Sequence, residues 1–258
     1  MRRPPWWISG FTGAALFLLH LPVLVLVAFS FNTSRFSMEW TGFTLEWYGR
    51  LLERGDILAA LRASLVVALA STVLATAFGT LIALALARHV FPGRRIYQGL
   101  LYLPIVTPEI VVGISLLVLF AAAGVQLGLA TITIAHVAFN ISFVAVVVLA
   151  RLEGMGRDLE EAAMDLGAGP WTTFFRVTLP QILPGVVAGA LLAFTMSFDD
   201  FVITFFVAGV GSTTLPLLVY SMVRRGVEPT INAISTIILV VTTVAILVAY
   251  RLREGRPA

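Results

Sequence analysis

The chain has 258 residues, of which 59% are hydrophobic and only 12% are charged. Soluble domains carry about 25% charged residues, so this composition indicates an integral membrane protein. All 17 basic residues are arginine and cysteine is absent, which excludes a P-loop lysine for ATP phosphates, disulfides and thiolate metal sites.

Six apolar segments each reach the roughly 20 residues that a helix needs to cross a bilayer. Backbone groups in lipid must form their hydrogen bonds within the segment, so we predict helices and an all-α fold. One transmembrane domain is expected over residues 1–258, with spans at about residues 7–31, 63–87, 100–123, 129–150, 184–208 and 231–250. The first span exceeds the roughly 7–15 residues of a signal-peptide core, which favours an uncleaved helix.

The distribution of arginine predicts the orientation. With a cytoplasmic amino terminus, eleven arginines lie inside and six outside, as the positive-inside rule favours. The inner set is Arg2, Arg3, Arg88, Arg94, Arg95, Arg151, Arg157, Arg176, Arg251, Arg253 and Arg256; the outer set is Arg35, Arg50, Arg54, Arg62, Arg224 and Arg225. We therefore expect both termini in the cytoplasm, with a long cytoplasmic loop, residues 151–183, between the fourth and fifth spans.

The third predicted span contains an acid next to prolines. Glu109 follows Pro104 and Pro108, and prolines weaken helix hydrogen bonding, so a bend is expected here. An aspartate at the bilayer centre costs roughly 2.5–3.5 kcal/mol on insertion scales, and intramembrane acids usually face a bundle interior or a wet cavity. Glu109 is therefore a candidate pathway residue, and a purely structural carboxyl is the alternative.

The cytoplasmic loop is patterned as structure rather than as a linker. Asp158 is expected to cap a helix, and Glu161 to complete a capping box. The apolar positions that then fall on one stripe at helical spacing are Leu159, Ala162, Ala163 and Leu166. Gly167 to Pro170 breaks this helix. From spacing alone, the helix is either a face that a partner approaches closely or an amphipathic helix on the membrane surface.

Two consecutive acids, Asp199 and Asp200, lie in the fifth predicted span, whereas no arginine lies in any span. On a helix, consecutive side chains point about 100° apart, so one carboxylate can face a pathway while the other pairs within the bundle. The surplus of negative charge would complement a cationic solute. The alternative is that these acids are structural and hydrogen-bonded to neighbouring hydroxyl groups.

Residues 215–223 are apolar but too short to span the bilayer. We expect this segment at the outer interface, either as part of a surface met by a solute-binding protein or as ordinary loop packing.

The three histidines, His20, His89 and His136, show no metal-ligand spacing. Buried helix packing is expected for His20 and His136. A G-x-S-x-G nucleophile motif is also absent from the sequence. We therefore expect no catalytic residue, no metal site and no enzymatic activity in this chain.

The cytoplasmic loop resembles a family signature. Glu161-Ala162-Ala163, Gly167 and Val177-x-Leu179-Pro180 resemble the EAA motif of binding-protein-dependent ABC importer permeases, with valine where that family usually has isoleucine. In that family the loop forms a coupling helix seated on the ATP-hydrolysing subunit. The resemblance assigns coupling to Asp158, Glu161, Ala162, Ala163 and Gly167.

The same resemblance implies an assembly in the bacterial cell inner membrane. The expected partners are a second, similar permease subunit, two ATP-binding subunits and a solute-binding protein, and no nucleic acid. This chain would bind no cofactor, because ATP and Mg would belong to the partner ATPase.

A narrower resemblance concerns the solute. Residues 197–202, Pro108-Glu109-Ile110-Val111, Leu215-Pro216 and Gly226-Val227 look like the second permease subunit of spermidine/putrescine transporters. The resemblance implies a polyamine substrate, with Glu109, Asp199 and Asp200 on its pathway. The alternatives are another solute, such as an amino-acid derivative or a metal chelate, and a stand-alone secondary transporter, for which an internal repeat would be typical.

Overall fold

A computed structural model describes residues 5–34, 39–225 and 229–254. These ranges are predominantly helical, and their only pairing of extended residues is an isolated antiparallel bridge between Asn32 and Phe43. The predicted all-α fold is confirmed. The expectations for both termini and for Gly226-Val227 lie outside the described residues.

Twelve α-helices follow one another in the described chain. They are α1 (Trp6–Phe29), α2 (Glu46–Glu53), α3 (Gly55–Arg88), α4 (Arg94–Val106), α5 (Glu109–Ala122), α6 (Leu129–Glu153), α7 (Asp158–Asp165), α8 (Pro170–Thr173), α9 (Leu179–Asp199), α10 (Val202–Val207), α11 (Leu215–Arg225) and α12 (Pro229–Glu254). A π-helical turn, Phe174–Thr178, joins α8 to α9.

Several of these helices are able to cross a membrane by length and composition. Within the described residues, four single helical segments qualify: Trp7–Phe29, Gly55–Arg88, Leu129–Glu153 and Pro170–Asp199. Helices α4 and α5 qualify only as a pair, and they are bent by 108°. The last helix, α12, has 26 residues and an apolar first part. The count of six spans and their orientation stay predictions.

The helix predicted over residues 100–123 is not continuous. Helix α4 ends at Val106, Thr107 and Pro108 are extended, and α5 begins at Glu109. Proline has no N–H donor and disfavours a helical conformation at the residue before it, so the chain leaves the helical path here. The predicted bend is confirmed, and at 108° it amounts to a break.

The helix predicted over residues 184–208 is also broken, although neither glycine nor proline stands at the break. Helix α9 ends at Asp199, Asp200 is extended with ψ of 124°, and α10 begins at Val202. The Asp200 carboxylate accepts hydrogen bonds from the backbone N–H groups of Ile203 at 3.3 Å and Thr204 at 2.7 Å. It thereby satisfies donors that the first turn of a helix leaves free, which explains the interruption.

The described residues form two compact units. The first comprises those of Met1–Leu58 and Leu218–Ala258. In it, α12 packs against α1 and α2. The indole Nε1 of buried Trp47 donates to the carbonyl oxygen of Asn32 at 2.7 Å, and the Asn32 Oδ1 accepts from the backbone N–H of Thr41 at 2.9 Å. These bonds tie the loop after α1 to α2.

The second unit comprises Ala59–Leu217. Its centre is α6, which packs against α4, α9 and α10, while α5 packs against α10. Val144 of α6 is fully buried, and a Cβ added to Gly79 of α3 or to Gly189 of α9 would lie 2.8 or 3.2 Å from its side chain. Small residues at these positions let the helices approach closely, as is common within membranes.

Candidate functional site

One cavity of the second unit brings together the three acids that the sequence placed inside the membrane. Its volume is about 250 Å³. The residues that line it are Glu109, His136, Phe139, Asn140, Met196, Ser197, Asp199, Asp200, Phe201, Val202 and Ile203. Both breaks in the predicted helices lie at this cavity, because Glu109 begins α5 and Asp200 follows α9.

The two adjacent aspartates have different surroundings. The side chain of Asp200 is 9% exposed, and its Oδ2 accepts hydrogen bonds from the backbone N–H and the hydroxyl of Thr204, both at 2.7 Å. Asp199 and Glu109 are exposed, and neither carboxylate has a hydrogen-bond partner among the described residues. The cavity therefore holds one satisfied carboxylate and two open ones.

His136 of α6 is the basic partner of Asp200. Its Nε2 lies 3.1 Å from the Asp200 Oδ2 and 2.9 Å from the Thr204 Oγ1, and its Nδ1 lies 2.6 Å from the Ser197 Oγ. The Ser71 hydroxyl of α3 donates to Ser197 at 2.8 Å. The sequence predicts a buried packing histidine here, and burial is found, but the pairing with Asp200 depends on long-range folding that no local pattern shows.

His20 was expected to be buried as well, and this prediction is wrong for the chain by itself. Helix α1 has none of its apolar window buried, so the ring of His20 is exposed, with its Nδ1 2.8 Å from the carbonyl oxygen of Leu16.

Asn140 adds an uncharged acceptor to the wall of the cavity. The residue is 1% exposed, and its Nδ2 donates weakly to the carbonyl oxygen of Ala193 at 3.4 Å. Its Oδ1 is buried and has no hydrogen-bond partner within the described part of the chain. Buried polar atoms without a partner are uncommon, and this one belongs to a residue that lines the acidic cavity.

The coupling residues predicted from the cytoplasmic loop lie on and after α7. The expectation that Asp158 caps this helix is wrong: Asp158 is its first residue, Arg157 occupies the capping position, and the described residues form no side-chain cap there. Helix boundaries and caps depend on backbone geometry that sequence spacing sets only to within a residue or two.

The predicted apolar stripe forms one exposed face. Leu159 and Leu166 are 60% and 90% exposed, Glu161 and Ala162 are exposed, and Ala163 is half-buried. Gly167 follows with a φ of +86°, a conformation that favours glycine. Apart from the half-buried Ala163, the five coupling residues thus lie on or beside a helical face that the described residues leave exposed.

Glu160, for which no sequence pattern indicated a role, attaches this helix to the rest of the unit. Its Oε1 lies 3.0 Å from the Arg88 Nη2 at the end of α3 and accepts a hydrogen bond from the Thr178 hydroxyl at 2.9 Å. Arg157 adds two bonds, from its Nη2 to the carbonyl oxygens of Ala87 at 3.2 Å and Arg88 at 3.0 Å. In the sequence Glu160 is one of two adjacent glutamates, and only the fold distinguishes the anchored one from the exposed one.

A family model described as the binding-protein-dependent transport system inner membrane component matches residues 75–254. The chain belongs to this family. It is 42% identical over 239 residues to the spermidine/putrescine transport system permease protein PotC of Escherichia coli, covering 93% of this chain and 90% of the relative. It is also 42% identical over 248 residues to the putrescine transport system permease protein PotI of Escherichia coli, covering 92% and 86%.

Solved structures confirm the fold. A bacterial ABC transporter that imports the acidic polysaccharide alginate has a chain that matches with a TM-score of 0.70 at 16% identity, covering 100% of this chain and 99% of that chain. The MetNI methionine ABC transporter matches with a TM-score of 0.61 at 20% identity, covering 83% and 100%.

Family membership makes this chain an ABC transporter permease, a non-catalytic subunit of a membrane transport system, and the expectation of a non-enzyme is confirmed on that ground. The two solved transporters carry solutes as different as an acidic polysaccharide and methionine. The shared fold therefore does not identify the transported solute, and the side chains that line the cavity are the evidence for its chemical class.

Proposed function

We propose that this chain lines the pathway by which an ATP-driven ABC importer carries polyamines, such as putrescine and spermidine, across the bacterial inner membrane. The observation that carries the proposal is the pair of open carboxylates, Glu109 and Asp199, on one cavity. No arginine is among the described residues that line it. Polyamines are flexible polycations, so their ammonium groups would replace lost water contacts with charge-assisted hydrogen bonds to these carboxylates.

The named relatives support this choice of solute. Two transport-system permeases at 42% identity carry spermidine and putrescine in their names, and the likeness covers nine-tenths of this chain. The chemistry of the cavity and the names of the relatives are separate observations that favour the same class of cation.

Coupling to ATP is the second part of the proposal. The exposed face of α7, with Leu159, Ala162 and Leu166, is an apolar surface outside the predicted spans. We propose that an ATP-binding subunit covers it and that ATP and Mg bind to that partner. Two such subunits, a second permease subunit and a solute-binding protein would complete the assembly in the cell inner membrane. A bacterial alginate ABC transporter with the same fold has been solved in complex with a periplasmic protein that holds an alginate pentasaccharide.

Helix α11 is the segment for which the sequence left two roles open, ordinary packing or contact with a solute-binding protein. Leu215, Leu218 and Met222 are buried, which supports ordinary packing for one side of the helix. Tyr220 and Val223 remain 37% and 47% exposed, and this other side is the part we propose to meet the binding protein.

The test is uptake of radiolabelled putrescine and spermidine by cells that express the full operon, with this chain intact or deleted. A background strain without other polyamine importers is used, and unlabelled amino acids serve as competitors. We expect uptake to require this chain and to resist the amino acids. Unchanged uptake after deletion would overturn the polyamine proposal and move the solute to an amino-acid derivative or a metal chelate, while the permease family would stand.

A further inference from the structure

We propose that His136 is a positioning residue that holds Asp200 in place as a structural cap. Asp199 and Glu109 are then the carboxylates that contact the transported cation. This inference rests on the proposed function and assigns different roles to three acids that line one cavity.

Most of the acceptor capacity of the Asp200 carboxylate is already used within the chain. A carboxylate offers about four lone-pair sites. The Oδ1 accepts from the backbone N–H of Ile203, and the Oδ2 accepts from the backbone N–H and hydroxyl of Thr204 and faces the His136 Nε2. A cation that used the Oδ2 as a ligand would have to displace one of these donors. The Oδ1 keeps one lone pair, on a side chain that is only 9% exposed.

His136 is fixed at both ring nitrogens. Its Nδ1 bonds with Ser197 and its Nε2 faces Asp200 and Thr204, while its side chain is 2% exposed. A neutral imidazole has one donor nitrogen, and a carboxylate only accepts, so the proton lies on Nε2 and is directed at Asp200.

The hydroxyl of Ser197, next to that of Ser71, provides a hydrogen-bond partner for the His136 Nδ1 in either protonation state of the ring. If the imidazole is neutral, the Ser71 hydroxyl donates to Ser197 at 2.8 Å and Ser197 donates to Nδ1. If the imidazole is charged, Nδ1 donates to the Ser197 hydroxyl oxygen, which also accepts from the Ser71 hydroxyl. In both arrangements Nε2–H faces Asp200, so the acid never lacks its donor.

The carboxylates of Asp199 and Glu109 differ from that of Asp200 in both exposure and hydrogen bonding. Both are exposed on the same cavity and have no partner among the described residues. Asn140, 1% exposed and with its Oδ1 unpartnered, lies in the same wall. The carboxylates of the cavity with free acceptors are therefore those of Glu109 and Asp199, whereas the Asp200 carboxylate is largely occupied.

The experiment compares conservative and disruptive variants in the complete transport complex, reconstituted in liposomes with saturating solute-binding protein. Asp200→Asn keeps an oxygen that accepts from backbone N–H groups, whereas Asp200→Ala does not. His136→Gln keeps a side-chain donor, and His136→Leu does not. Asp199→Asn and Glu109→Gln remove one open carboxylate each. Maximal uptake of putrescine and of spermidine is measured for each variant.

We expect Asp200→Asn and His136→Gln to retain uptake within about threefold, because the cap and its donor remain. Asp200→Ala and His136→Leu should lose uptake of both polyamines in equal proportion. Asp199→Asn and Glu109→Gln should lower uptake about tenfold, and more for spermidine than for putrescine, because spermidine carries one more positive charge. The ratio of the two uptakes is a readout that a structural defect does not change.

The opposite pattern would overturn the inference. If Asp200→Asn lowered uptake as much as Asp199→Asn and shifted the spermidine-to-putrescine ratio in the same way, Asp200 would be a substrate ligand. An Asp200→Ala protein that fails to fold leaves this comparison intact, since it depends on the asparagine variants. A failure of the proposed function would show differently, as an unchanged complex that takes up neither polyamine.

Discussion

The guanidinium of Arg88 and the carboxylate of Glu160 form an ion pair, with the Nη2 and Oε1 atoms 3.0 Å apart. Their side chains are only 15% and 13% exposed, so solvent screens this pair far less than a surface pair. Because Arg88 ends α3 and Glu160 lies in α7, the pair links a long apolar helix to the proposed coupling helix. A movement of α7 would therefore be transmitted to α3 through this ion pair.

We predict that Arg88→Ala and Glu160→Ala each lower polyamine uptake more than ATP hydrolysis, because the coupling helix would lose its ion pair to α3 and keep only the Arg157 bonds. A double-mutant cycle should show a coupling of about 1–2 kcal/mol in thermal stability. The measurement combines uptake, ATPase rate and melting of the reconstituted complex. The Arg50–Glu46 pair, with side chains 54% and 55% exposed, is the matched control, and its cycle should give about 0.5 kcal/mol or less. Equal values for the two pairs would contradict the proposed link.

Gly167 should tolerate only residues that accept a left-handed backbone. Its φ is +86°, and a Cβ added there would meet no atom within 4 Å, so strain in the backbone rather than a clash limits substitution. We predict that Gly167→Leu uncouples ATP hydrolysis from uptake without removing the protein from the membrane. Gly167→Asn should retain part of the uptake, because asparagine enters this conformation more readily.

The control for Gly167 is its near neighbour Gly169. This glycine has a φ of −70° and also has free space around it, so Gly169→Leu adds the same bulk without backbone strain. Uptake and ATPase activity are compared across the three variants in membranes. Normal uptake by Gly167→Leu would contradict the assignment of this turn to coupling.

Gly209 is predicted to be intolerant of any side chain. An added Cβ would overlap the carbonyl oxygen of Leu127, a backbone atom that cannot rotate away. We expect Gly209→Ala to lower the free energy of unfolding by about 1–3 kcal/mol or more, seen as a reduced melting temperature in detergent. Gly99→Ala, in the interior of α4, is the control, since its added Cβ would meet nothing within 4 Å. It should melt at or slightly above the temperature of the unaltered protein, because alanine favours a helix more than glycine does.

Trp47 should matter through its hydrogen bond as well as its bulk. The Nε1 donates to the carbonyl oxygen of Asn32 at 2.7 Å, and the residue is 6% exposed. Trp47→Phe would leave that carbonyl without this donor, at an expected loss of about 1–3 kcal/mol in stability. Trp7→Phe, at a side chain that is 60% exposed, serves as the control. If both variants melted alike, the Asn32 bond would have no net stabilising role.

Short-range pattern was sufficient for several features of this protein. Apolar length predicts membrane helices because lipid requires every backbone group to bond within its segment, and the family matched over residues 75–254 agrees with the signature found in the loop. The bend before Glu109 was predictable because proline acts on its own turn and on the residue before it.

The remaining features arise from contacts between residues far apart in the chain. Neither glycine nor proline marks the break at Asp200 in the sequence. The break depends on the Asp200 carboxylate, which accepts hydrogen bonds from backbone N–H groups of the next turn. Glu160 and Glu161 are indistinguishable in sequence until Arg88, 72 residues away, binds one of them. His136 lies 64 residues from Asp200, and only folding brings the two side chains together. Sequence alone thus predicts which acids lie in the membrane-spanning segments, whereas the tertiary structure decides which of them are already satisfied, because hydrogen-bond donors are supplied by other helices.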